Sequence, residues 1–147
     1  MERICCGAFQ GSGIEEIVIP ASVTEIENNA FYKCAELRKV TFAGDNALKT
    51  IGNGCFDGTG IEEFLAPLNL ERIGNAVFAH CKALKQVILN EGLKVLGDDG
   101  YPGVFQDSGI ENIEMPSTLR KLGNNLFWYC RNLKKVSLPP GLECLED

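Results

Sequence analysis

Apolar residues recur along this chain in a fixed order. Phe9, Phe31, Phe56, Phe78, Phe105 and Phe127 are separated by 22, 25, 22, 27 and 22 residues. Aligned on these rings, five further apolar columns appear. The first holds Ile14, Leu37, Ile61, Leu84, Ile110 and Leu133, and the second Ile17, Val40, Phe64, Val87, Ile113 and Val136. Two residues on come Ile19, Phe42, Ala66, Leu89, Met115 and Leu138. Val23, Leu48, Leu70, Leu93, Leu119 and Leu142 follow, then Ile26, Ile51, Ile73, Leu96, Leu122 and Leu145. A single unit of this length cannot bury its own apolar columns. Stacked on copies of itself it can, so the pattern predicts one continuous spine of piled units.

Within each unit the pair typified by Ile17 and Ile19 has period 2 and predicts a short strand. Pro20, Pro67, Pro116 and Pro139 follow that strand at once, and proline lacks the N–H a ladder needs. Each unit is therefore expected to donate one strand of about three to five residues. Strands of the same sense joined by a long return must lie parallel. The return carries Gly52-Asn53, Gly74-Asn75 and Gly123-Asn124, read as turn residues. The stretch from there to each Phe is expected to form a short helical or 3-10 turn.

A second period spans two units. Phe9, Phe56 and Phe105 are followed by Gly-Ser-Gly-Ile, Gly-Thr-Gly-Ile and Asp-Ser-Gly-Ile, whereas Phe31, Phe78 and Phe127 are followed by Cys34, Cys81 and Cys130. Charge follows the same rhythm: Glu15, Arg38, Glu62, Lys85, Glu111 and Lys134 occupy one column and alternate in sign. Opposite charges on neighbouring strands attract weakly and disfavour a slip by one unit. The three thiols sit two units apart, roughly 10 Å, which is too far for a disulfide or a shared metal. They are expected to be buried and to cap turns.

Composition narrows the functional classes. The chain has 147 residues and a net charge of -6, with 14 Lys and Arg against 20 Asp and Glu. That length suits one domain, residues 1–147. An acidic balance gives no basic footprint for phosphates, so neither nucleic acid nor an anionic membrane is an expected partner. No 18-residue apolar run occurs, so no membrane insertion is expected. The seven Cys argue against a fully paired disulfide framework. Cys5, Cys6 and Cys144, near the ends, are the candidates for bonds between molecules. Residues 1–6 carry no secretory leader pattern. The protein is expected to be intracellular if Met1 is its natural start.

Ile73-Gly74-Asn75-Ala76-Val77-Phe78 with Cys81, Leu84, Lys85 and Val87, and Leu122-Gly123-Asn124 with Phe127, Cys130, Leu133 and Val136, carry a recognisable motif. It resembles the BspA-like (Treponema-type) class of leucine-rich repeat, over residues 4–145. The resemblance implies an α/β solenoid of about six units of 22–27 residues, strand-rich, with short helical or 3-10 turns. It also implies a non-catalytic protein-binding module, adhesin-like or scaffold, extracellular or at the cell surface if the chain is part of a typical member. Two departures from the family pattern are read within these 147 residues: no leader pattern is expected from residues 1–6, and no capping repeat is expected at ends of identical phase, Ile4 and Leu145. The alternative reading is therefore a structural segment of a larger protein or assembly, associating end to end.

Alternation places the middle strand residues Val18, Thr41, Leu65, Ile88, Glu114 and Ser137 on the outward face. Leu65 and Ile88 are expected side by side, a candidate contact patch with Glu62 and Lys85 at its rim. Tyr101, in the longest insertion, Gly97 to Gly103, is a further candidate contact. Asp98, Asp99 and Asp107 match no calcium-loop spacing, so neither metal nor cofactor is expected. His80, the only His, lies next to Cys81 in sequence, but no third orienting group is evident, so no enzyme activity is expected.

Overall fold

The computed structural model describes residues 2–100 and 102–142. Each unit contributes two short strands. The longer series is β2 (Glu16–Ile19), β4 (Lys39–Phe42), β6 (Glu63–Leu65), β8 (Gln86–Ile88), β10 (Asn112–Glu114) and β12 (Lys135–Ser137). The shorter series is β1 (Arg3–Ile4), β3 (Glu25–Ile26), β5 (Thr50–Ile51), β7 (Arg72–Ile73), β9 (Val95–Leu96) and β11 (Lys121–Leu122). The column that ends in Leu122 among the described residues is thus a second strand and not merely a return path. Its two-residue strands form one unbroken parallel sheet, β1-β3-β5-β7-β9-β11. Period 2 could not announce it, because two residues are too few to show a period.

The longer strands split into β2-β4 and β12-β10-β8-β6, all pairings parallel. The break falls where residues 43–47 lengthen the turn after β4. There the buried Asn46 amide donates to the Ile19 and Pro20 carbonyls at 3.3 and 3.1 Å, tying the longer turn back to the first unit.

Inside, the expected columns pile up. Phe31, Phe56, Phe78 and Phe105 are fully buried. The rings from Phe9 to Phe127 stack near-parallel at 5.2–6.0 Å. That separation exceeds the roughly 4.8 Å between strands because the rings are offset, the arrangement their quadrupoles prefer. Phe64 closes the strand side of the stack, its ring 4.8 Å from Phe78 and tilted by 59°.

The return path corrects the expected α/β class. No α-helix or 3-10 helix occurs among the described residues; the fold is a β-solenoid with hydrogen-bonded turns. Two observations explain this. Two residues before and two after the ring, the backbone is left-handed at Gly7 and Gly11, Asn29 and Lys33, Gly54 and Gly58, Ala76 and His80, and Asn125 and Tyr129, whereas around Phe105 only Asp107, after the ring, is left-handed. Helices do not tolerate such residues in their interior. Alternate N–H groups also donate to the next unit rather than along the chain. Asn29, Phe31 and Lys33 donate to the carbonyls of Asn53, Cys55 and Asp57 at 2.8–2.9 Å. An α-helix would need those donors for its own i−4 carbonyls.

The Gly-Asn pairs have a second explanation. Asn28 Oδ1 accepts the Asn53 N–H at 2.7 Å, Asn53 Oδ1 accepts that of Asn75 at 2.9 Å, and Asn75 Oδ1 accepts that of Asp98 at 2.7 Å. A side chain on Gly52 would place its Cβ 2.6 Å from Asn28 N and Oδ1. Gly52 is needed for close stacking beneath the asparagine ladder, not for an unusual dihedral.

Candidate interaction surface

The candidate face is built by strand alternation. In β6 and β8 the middle residue, Phe64 or Val87, is buried and its neighbours are exposed. Parallel register then aligns the outward residues: Val18 with Thr41, Leu65 with Ile88, Glu114 with Ser137. Leu65 and Ile88 are 64% and 50% exposed, and Val18 is 62% exposed two units away. Thr41 is half-buried, and its hydroxyl donates to the Ile17 carbonyl at 3.5 Å. Glu114 is exposed and Ser137 half-buried. Tyr101 lies outside the described residues.

Arg38, Lys39, Glu62 and Lys85 border the same depression, about 750 Å³, as Thr41, Leu65 and Ile88. It sits over the break between β4 and β6. The charged column and the apolar pair therefore share one face. Within that column Glu111 and Lys134 form the one ion pair among the described residues, at 2.7 Å. The Lys134 hydrogen bond holds the Glu111 carboxyl below its ordinary value.

Leu68 extends the patch and was not foreseen. It is 82% exposed and lines a depression of about 500 Å³ with Thr41, Phe42, Leu65 and Pro67. A signal was available: after Pro20 and Pro116 the chain places Ala21 and Ser117, and only here a leucine. Trp128 and Tyr129 are also exposed, their rings 4.8 Å apart, with Arg131 over Tyr129. They follow Phe127 at the turn edge, away from the strand face.

The thiols and the histidine are accounted for structurally. Cys34, Cys81 and Cys130 donate to the carbonyls of Phe9, Phe56 and Phe105 at 2.9–3.1 Å. Ser12, Thr59 and Ser108 lie against these sulfurs at 3.4–3.7 Å. The two-unit period is thus a hydroxyl on one unit meeting a thiol on the next. Burial pushes the Cys81 thiol up to about 11, so it stays neutral. His80 turns outward and meets Asp57 at 2.8 Å, leaving no nucleophile–base pair with Cys81. Asp98 pairs with Arg72, Asp99 with Lys121 at 3.3 Å, and Asp107 with Lys82, so these carboxylates face cations of the chain itself. No group of three or more metal-ligating side chains occurs among the described residues. Nor is any helix there long and apolar enough to cross a membrane.

Comparison with known proteins bears on the whole chain. The model of the BspA type leucine rich repeat region matches residues 2–104 and 49–147, in six copies. No curated protein matches significantly. Among solved structures, the pneumococcal vaccine antigen PcpA is 25% identical with a TM-score of 0.84, over 96% of this chain and 36% of that one. The T. pallidum leucine rich repeat protein TpLRR is 26% identical with a TM-score of 0.84, over 95% of this chain and 64% of that one. A leucine-rich repeat protein from Bacteroides ovatus is 26% identical with a TM-score of 0.70, over 97% of this chain and 47% of that one. The chain spans about a third to two thirds of the length of these proteins.

Proposed function

The chain belongs to the BspA-type leucine-rich repeat family, and from that premise we propose that it is a non-catalytic protein-binding module, adhesin-like or scaffold, whose contact surface is the outward face of the longer strands. One observation carries the reading. Leu65 and Ile88, paired in register, stand 64% and 50% exposed in the middle of a charged face. Adjacent water-facing aliphatics with a polar rim match the anatomy of a contact site. Glu62 and Lys85 form the nearest rim, with Val18, Thr41, Glu114 and Ser137 around them.

The test compares two proteins side by side. Leu65→Lys/Ile88→Lys should retain the circular dichroism and melting temperature of the wild type, because both side chains point to water. Its capture of a defined partner from the source organism's surroundings should be lost. Equal capture by both proteins would remove the proposed face.

Association through the ends is a second reading, and one observation favours it. Phe9, in the first unit, stacks on Phe31 and is 37% exposed, an apolar ring available to a contact at that end of the described stack. A sedimentation experiment on Phe9→Lys addresses it: association that persists in the variant counts against the ends.

A further inference from the structure

The charge alternation goes beyond what the fold needs. Opposite charges in the column from Glu15 to Lys134 face each other across neighbouring strands, yet only Glu111 and Lys134 close to an ion pair among the described residues. Glu15, Arg38, Glu62 and Lys85 are exposed and close no such ion pair, although Lys85 is near enough to Glu111 to help lower its carboxyl value. We propose that this face pairs with the same face of a second copy of the chain, about a two-fold axis running parallel to the strands between β6 and β8. The proposal rests on the binding-face reading above and names its partner.

The geometry follows from symmetry. A two-fold axis in the interface, parallel to the strands, keeps strand direction and reverses the order of units. Each column then meets the same column of the partner, with the third unit on the partner's fourth, the second on its fifth and the first on its sixth. In the column from Glu15 to Lys134 sign alternates, so every such pair in that column joins opposite charges. Glu62 meets the partner's Lys85, Arg38 meets the partner's Glu111, and Glu15 meets the partner's Lys134. At the centre, Leu65 meets the partner's Ile88, and the reverse contact repeats it, as an isologous interface requires. The apolar pair selects this axis among the several that alternation alone would permit. An axis along the stack would instead lay each unit on its own kind, acidic on acidic, which is repulsive. The face is about 25–30 Å by about 16 Å, the small end of specific interfaces, so the dimer is weak and salt-sensitive.

The experiment is sedimentation equilibrium of the full chain. The wild type should associate reversibly to a dimer, and added salt should weaken it. A wild type that stays monomeric up to its solubility limit overturns the dimer and leaves the binding-face reading untouched. Glu62→Lys alone should be monomeric, since it sets two lysine side chains against each other across the axis. Lys85→Glu alone should be monomeric for the mirror reason. An equimolar mixture of the two variants should dimerise, because each altered charge then meets its opposite. Dimers that persist in either single variant, as association through the ends would give, overturn the proposal, and so does a mixture that stays monomeric. Both positions are exposed, and unchanged circular dichroism spectra establish that the variants fold; the wild-type salt series stands independently of them.

Discussion

Glu71 lies between Lys49 and Lys94, at 3.0 and 2.8 Å, one cation from the unit before and one from the unit after. The Lys94 and Lys49 hydrogen bonds pull its carboxyl from an ordinary 4.5 down to about 2. A carboxylate whose value is lowered by folding stabilises the fold above its unfolded value and loses that contribution as pH falls through the folded one. Glu71→Gln should therefore melt below the wild type at pH 7, and the gap should close as pH falls from 4.5 toward 2. Thermal melts of both proteins across that window check it. A gap of constant size would mean that the two lysines do not act on this carboxyl. The alternating column at Glu111 is legible in the sequence, and this triad is not. Glu71 and Lys94 are one unit apart, but the short strands that align them were invisible as strands.

At the scale of the element, the turn decides the fold class. The turn residues around each Phe are enough for one helical turn of about 3.6 residues, and their composition does not forbid one. What prevents it is the direction of the donors: alternate N–H groups point to the neighbouring unit. Ala76 holds φ at 54° in this geometry. An L-residue pays a steric cost there that glycine escapes, so Ala76→Gly should stabilise the protein by about 1 kcal/mol. In a helix the same change would destabilise by a similar amount. Chemical denaturation therefore separates the two geometries by the sign of the change. Gly54 and Gly7 already occupy the equivalent position in other units.

At the scale of the whole molecule, the solenoid is a one-dimensional stack in which each unit depends on its neighbours. The Phe column should show this as a gradient. Phe78 is fully buried with rings on both sides, and Phe78→Ala should cost about 3–5 kcal/mol. Phe9 is partly exposed and stacked on one side, so Phe9→Ala should cost clearly less. Denaturant midpoints at unchanged m-value measure both. Equal losses would mean that the core is not shared between units as the stacking implies.

The repeat, the buried columns, the parallel strands and the outward set Val18, Leu65 and Ile88 were legible in the sequence, because a period records which side chains must face a common interior. The alternating charges were legible too, since sign needs no coordinates. Which donors leave the chain for the next unit was not legible, so the sequence alone points to helical turns where the structure has none among the described residues. Nor was the reason for Gly52, which depends on Asn28 lying one unit above it. Those features arise between units, at distances that only stacking creates. A linear pattern fixes what each residue prefers, and the packing of one unit on another determines which hydrogen bonds, close approaches and open faces result.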